Sequence, residues 1–225
     1  MVEAPPPAPS KPPARRKSIR MSDGQLRAAV REAGKRLATR PEPQKPLVLI
    51  GLMGVGKTAV GKRLAQVLRT KFVDSDEEIE RAAQRSISEI FELYGEAHFR
   101  NRERAIVERL LAESRGVISL GGGAFMDDQT RALVLEQGLA VWLRAPVDVL
   151  VERTGRKNTR PLLKTGDPHK ILSDLLSART PAYSQAPIQA HSGLGRLDRT
   201  VLSVLTRANS HVFGKGKSKR RRRRR

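Results

Sequence analysis

The stretch Gly51-Leu-Met-Gly54-Val-Gly56-Lys57-Thr58 combines backbone that can turn sharply with a cation and a hydroxyl at its end. Its spacing is G-x-x-x-x-G-K-[ST]. The apolar run LVLI precedes it and KTAVGKRLAQVLRT follows it, the strand-then-helix setting that the pattern requires. Glycines let backbone N–H groups converge on an anion, and a helix starting near Lys57 adds its positive end. The Lys57 ammonium suits β- and γ-phosphates, and the Thr58 hydroxyl suits Mg²⁺. The loop is therefore expected to hold a nucleoside triphosphate, ATP, through Gly54, Val55, Gly56, Lys57, Thr58 and Ala59.

The destination of a phosphoryl group is a separate question, and three further groups bear on it. Asp74 and Asp76 close a second apolar run, KFVD. Strand ends beside a phosphate loop face the crevice of an open parallel sheet. A carboxylate there can accept hydrogen bonds from substrate hydroxyls and take a proton. Asp74 could equally hold water on Mg²⁺, and Asp76 could be no more than the N-cap of EEIERA. Arg100 and Glu103 stand three apart in a helical stretch. The carboxylate either steadies the guanidinium for a bidentate grip on an anion or makes a plain surface pair. Gly121, Gly122 and Gly123 follow the run VISL. They let a ligand approach bare backbone, or they make a tight turn.

Positioning these groups needs strands alternating with helices, and the sequence alternates from Leu47 onward. LVLI, KFVD, GVIS, LAVWLRA and PIQAHS read as short strands. Between them lie helical patterns, including SISEIFELYG with Ser86 and Glu89 spaced as a capping box, and the amphipathic EAHFRNRERAIVERLLAES. Another helical stretch runs from DPHKIL to a stop near Pro181, and LDRTVLSVLTRAN closes the series. The pattern predicts an α/β domain over 47–209, with a parallel sheet covered on both faces. RTGRKNTRPLLKTGDP, polar, basic and Gly-containing between two helices, has the character of a functional closure over about 153–167.

At the scale of the chain, 225 residues suffice for one good core. There is no cysteine, which excludes disulfides and thiolate metal sites. No apolar run reaches the ~18 residues of a membrane span. The net charge of +21 is unevenly spread: residues 1–46 carry +7, residues 210–225 carry +9, and the middle only +5. Residues 1–46 read as a Pro-rich basic extension, mostly disordered, with a thin helical stripe over 22–39 capped by Ser22 or Asp23. The Arg-rich stretch 210–225 reads as a disordered tail with non-specific affinity for polyanions.

Taken jointly, the phosphate loop, the DSD, G-E-x-x-F-R-x-x-E over 95–103, the triple glycine and the R-P-L-L at Arg160 resemble shikimate kinase from about Leu47 to Ala208. The resemblance implies a three-layer P-loop kinase fold of the nucleoside-monophosphate-kinase type. That fold has a five-stranded parallel sheet, helices on both faces and a mobile lid. It implies transfer of the ATP γ-phosphate to the 3-hydroxyl of shikimate, giving shikimate 3-phosphate and ADP in aromatic amino acid biosynthesis. On that resemblance Lys57, Asp76 and Arg160 are the catalytic residues. Asp76 meets the shikimate hydroxyls, Arg100 and Arg179 clamp the carboxylate, and Gly121, Gly122 and Gly123 line the pocket. Arg153 lies against adenine, and Arg160 reaches the phosphate from the lid. Thr58 binds Mg²⁺, with Asp74 acting through water. A cytoplasmic monomer is expected. The other readings are a related small-metabolite kinase, such as a gluconate kinase, and a nucleic-acid-binding or regulatory protein that keeps the nucleotide site as a switch.

Overall fold

The computed structural model describes residues 21–40, 45–155 and 166–222, with side chains of the last helix described to Phe213. Strands β1 (Leu47–Ile50), β2 (Phe72–Asp74), β3 (Val117–Ser119), β4 (Leu139–Arg144) and β5 (Ile188–His191) form one parallel sheet in the order β2-β3-β1-β4-β5. Leu47 pairs with Val117 on one side and Leu139 on the other. All four β1 residues are buried, as a strand covered on both faces requires.

The helices are α1 (Asp23–Ala38), α2 (Lys57–Leu68), α3 (Ser75–Ala83), α4 (Ile87–Glu113), α5 (Asp128–Gln137), α6 (Val147–Gly155), α7 (Pro168–Tyr183) and α8 (Leu197–Arg222). Helices α2 and α8 pack together on one side with α1 against both, while α4 and α5 pack on each other away from them. Gly61 lets α2 come down onto the sheet: a Cβ there would run into the Phe72 ring and sit 3.3 Å from Leu49. From β1 the chain leads to the β2 edge, and from β4 to the β5 edge. Connections diverging in this way open a crevice at the carboxyl ends of the two strands.

Three element-level readings are refined. The helical stripe at the N-terminus is α1, and it docks. Ser22 caps it in a reciprocal box with Gln25, and Leu26, Val30 and Leu37 are buried. Asn209 of α8 donates to the Ala33 carbonyl at 2.9 Å. This helix, taken from sequence as part of an extension, thus belongs to the packed body. Helix α4 carries the expected Ser86–Glu89 capping box and breaks at Gly95 (φ 75°, ψ 175°), which separates the two helical patterns read from the sequence. Helix α8 continues past residue 209 to Arg222, into the stretch expected as a disordered tail. A docked helix is already nucleated, so each further residue adds a hydrogen bond without that cost.

Candidate active site

Gly51, Gly54 and Gly56 adopt φ of +140°, +79° and +94°, where a side chain would be strained. A Cβ on Gly51 would lie 2.5 Å from the Leu143 carbonyl oxygen, and one on Gly54 2.8 Å from Thr154 Cγ2. The loop is therefore wedged between the end of β4 and α6. Helix α2 begins at Lys57 with no side-chain cap and no acid in its first turn. Its first N–H groups are thus left facing whatever the loop encloses. Lys57 Nζ donates to the Gly51 carbonyl at 2.8 Å, which places its charge over the loop.

Beyond Thr58, the hydroxyl donates to Asp74 Oδ2 at 3.4 Å, while Asp74 Oδ1 accepts from the Asp76 N–H at 3.1 Å. Asp74 is thus the N-cap of α3. The sequence left Asp76 between capping and ligand binding; the cap is Asp74, and the Asp76 carboxylate lies against Gly121. Burial, then the Asp74 carboxylate, push the Asp76 pKa up to about 6. Glu103 and Glu80 add to the rise, and Lys57 opposes it. An acid with a pKa near 6 beside a phosphate loop is suited to exchanging a proton near neutral pH.

The triple glycine organises the other wall. A Cβ on Gly121 would collide with Asp76 Oδ1, one on Gly122 would lie 3.3 Å from an Arg179 guanidinium nitrogen, and one on Gly123 2.9 Å from an Arg100 guanidinium nitrogen. Three consecutive residues thus abut the three side chains that the resemblance assigned to one pocket. Ser75, fully buried, accepts from the Gly121 N–H at 2.9 Å and ties the turn to the start of α3. Arg179 and Tyr183, one helical turn apart on α7, donate to the Gly122 carbonyl at 2.5 and 2.9 Å.

Arg100 donates to Glu103 at 2.6 Å, and Glu103 is 2% exposed. Burial works against the Arg100 charge, but the Glu103 and Glu96 carboxylates more than restore it and raise its pKa. Burial pushes the Glu103 carboxyl up, partly offset by Arg100. Of the two readings for this pair, the steadied guanidinium is the one that the burial of Glu103 favours. A second edge of Arg100 faces Glu96 at 3.2 Å, with the Glu96 side chain 69% exposed.

Arg153 donates to the Gly54 and Val55 carbonyls at 3.4 and 3.3 Å, and to Gly193 at 2.6 Å. It therefore braces the phosphate loop against the β5–α8 turn. Arg160 and most of the expected lid, 156–165, lie outside the described residues. Ser75, Tyr183 and Ser192, whose hydroxyl accepts from Arg153 at 3.2 Å, went unnoticed in the sequence, and Glu96 was seen only as part of the motif over 95–103. Of the three unnoticed residues only Tyr183 carried a signal, its four-residue spacing from Arg179.

The family model for shikimate kinase matches residues 53–208. The chain is 58% identical over 153 residues to a shikimate kinase of Novosphingobium aromaticivorans, covering 66% of this chain and 79% of that one. It is 48% identical over 174 residues to one of Cereibacter sphaeroides, covering 77% and 86%. Among solved structures, the shikimate kinase from Acinetobacter baumannii in complex with shikimate superposes with a TM-score of 0.69 at 36% identity, covering 77% of this chain and 95% of that one. With the sheet order, the phosphate loop and the glycine-centred pocket in place, the chain belongs to the shikimate kinase family.

Proposed function

We propose that this chain transfers the γ-phosphoryl group of ATP to the 3-hydroxyl of shikimate, releasing ADP and shikimate 3-phosphate for aromatic amino acid biosynthesis. The observation that carries the reading is the row Gly121, Gly122 and Gly123, each against one of Asp76, Arg179 and Arg100. An acid and two guanidinium groups around bare backbone match a hydroxylated carboxylic acid.

The uncapped α2 N-terminus and Lys57 take the phosphates of ATP, and Arg153 keeps the loop in shape. Arg100, steadied by Glu103, and Arg179, steadied by the Gly122 carbonyl, take the substrate carboxylate. The incoming acid exchanges with the exposed Glu96 on one edge of Arg100. Asp76 accepts a hydrogen bond from the attacking hydroxyl and takes its proton as the P–O bond forms. In a loose transition state this proton moves late, so orientation is the larger part of its work. Arg160 is assigned to the transferring phosphate on the family resemblance alone.

Thr58 and Asp74 offer adjacent hydroxyl and carboxylate oxygens, which suit Mg²⁺, a cation that keeps several waters and uses few protein ligands. Among the described residues no cluster of three His, Cys, Asp or Glu side chains forms a protein cage, and Mg²⁺ on a nucleotide needs none. Bound there, Mg²⁺ would neutralise phosphate charge. Among the described residues no helix is long and apolar enough to cross a membrane. We read the chain as a cytoplasmic monomer, with the terminal arginines adding salt-sensitive polyanion contacts.

The test is to incubate the protein with Mg²⁺-ATP and, separately, shikimate, gluconate and nucleoside monophosphates, following ADP release. Shikimate should give stoichiometric ADP. Faster turnover of gluconate or a nucleoside monophosphate would overturn the proposal.

A further inference from the structure

A cavity of about 830 Å³ lies between α1 and the C-terminal half of α2, outside the site described above. Arg27, Arg31 and Lys35 line one wall from α1, and Arg63 and Arg69 line the other; no acidic residue lines it. Arg63 is engaged by Asp198 at 2.8 Å and by Gln66 at 2.6 Å. Arg27, Arg31, Lys35 and Arg69 are exposed and make no ion pair among the described residues.

Three of the four cations of α1, Arg27, Arg31 and Lys35, line this cavity, while Arg36 lies over the Phe213 ring of α8. The acids of α1 do not reach this cavity: Glu32 lines a separate groove against α8, and Asp23 pairs with Arg196. A solvated helix ordinarily mixes signs to support itself through pairs four apart. Here residues 27, 31 and 35, four apart, are all cations, and their mutual repulsion goes uncompensated. Four residues rise about 6 Å along a helix, so the three form a row about 12 Å long. Such a row, facing two more cations, suits an extended chain of negative charges better than a single anion. The cavity has no aromatic lining on which a base could stack, so contact runs through the phosphates and carries no sequence preference. Its apolar residues Val67 and Leu68 are half-buried and do not project as a membrane-inserting surface.

We propose that the α1–α2 cleft is a binding site for the phosphate backbone of a single-stranded nucleic acid, separate from the phosphotransfer site. The inference does not rest on the identity of the acceptor substrate.

The experiment measures binding of the full chain to a fluorescein-labelled 20-nucleotide oligo(U) by anisotropy across a salt series. It compares the parent with the triple variant R27Q/R31Q/K35Q and with a control triple, R85Q/R102Q/R115Q, which removes equal charge elsewhere. The cleft triple should weaken binding about tenfold near 0.1 M salt and reduce the slope of log K against log salt by about 2, the value for three lost phosphate contacts on a single strand. The control should change affinity less than twofold, and all three proteins should keep the parental melting temperature and ADP-release rate. Equal losses in both triples, or a cleft triple that binds like the parent, would overturn the site. Cleft-dependent binding of long-chain polyphosphate or of phosphatidylglycerol vesicles, with oligo(U) binding unaffected by the triple, would overturn the assignment to a nucleic acid.

Discussion

Asp76 is held by burial and by Asp74 with a pKa near 6, which couples activity and stability in opposite senses. Protonated, it cannot accept the hydroxyl proton, so kcat/KM for shikimate should fall about tenfold per pH unit below about 6. A profile flat down to pH 5 would remove Asp76 from the proton step. For stability, the native state holds this proton more tightly than the unfolded chain does. Stability is therefore lost as pH rises from about 4 through about 6, and the loss persists above. Asp76→Asn should accordingly abolish turnover while raising stability at pH 7.5 by about 1–3 kcal/mol, with no gain near pH 4 in urea melts. Arg100 gives a second expectation at this scale. Arg100→Ala should raise the KM for shikimate at least tenfold with little change for ATP, whereas Glu96→Gln should lower it a few-fold by freeing the guanidinium edge. Steady-state kinetics with each substrate varied checks both. In the sequence these residues stood out through the joint order of the motifs, since taken singly Asp76 could be a cap and Arg100 a surface pair. The division of labour between Asp74 and Asp76 was not legible, because either carboxylate is close enough in sequence to cap α3.

Close approach of backbone to side chain shapes the elements around the site, and two glycines allow this to be tested separately for function and for stability. Gly121→Ala places a methyl group into the Asp76 carboxylate. It should cost two or more orders of magnitude in kcat/KM while the melting temperature falls only modestly. Gly61→Ala drives a methyl group into the Phe72 ring, under α2 and outside the pocket that Gly121, Gly122 and Gly123 line. It should cost about 1–3 kcal/mol of stability, the range for overpacking, with kcat retained in the folded fraction. Helix α1 is tested by Leu37→Ala, since Leu37 is fully buried. A loss of about 2–5 kcal/mol in chemical denaturation is expected, and a loss below 0.5 kcal/mol would show that α1 does not stay docked. The existence and type of each element were readable from periodicity and caps. The docking of α1 was not, because its stripe of Leu26, Val30 and Leu37 is thin and its partners on α2 and α8 are distant in sequence.

At the scale of the described residues, two basic regions are kept apart. The phosphate loop and glycine turn share the crevice at the strand ends, while the α1–α2 cleft has its own basic lining. Truncation at residue 47, where the sequence places the start of the domain, would therefore remove a core helix as well as an extension. The sequence by itself determined the strand–helix alternation, the anion loop and the residue types of the pocket, because local periodicity and short-range spacing are written directly in the order of side chains. The tertiary structure alone decided that the glycines at 121–123 meet Asp76, Arg179 and Arg100 in turn, and that Arg153 braces the loop. It alone decided that Arg27, Arg31 and Lys35 of α1 face α2 across a shared cleft. Each of these depends on sheet order and helix packing, which bring together residues up to 176 positions apart in the chain, and no local pattern encodes such distances.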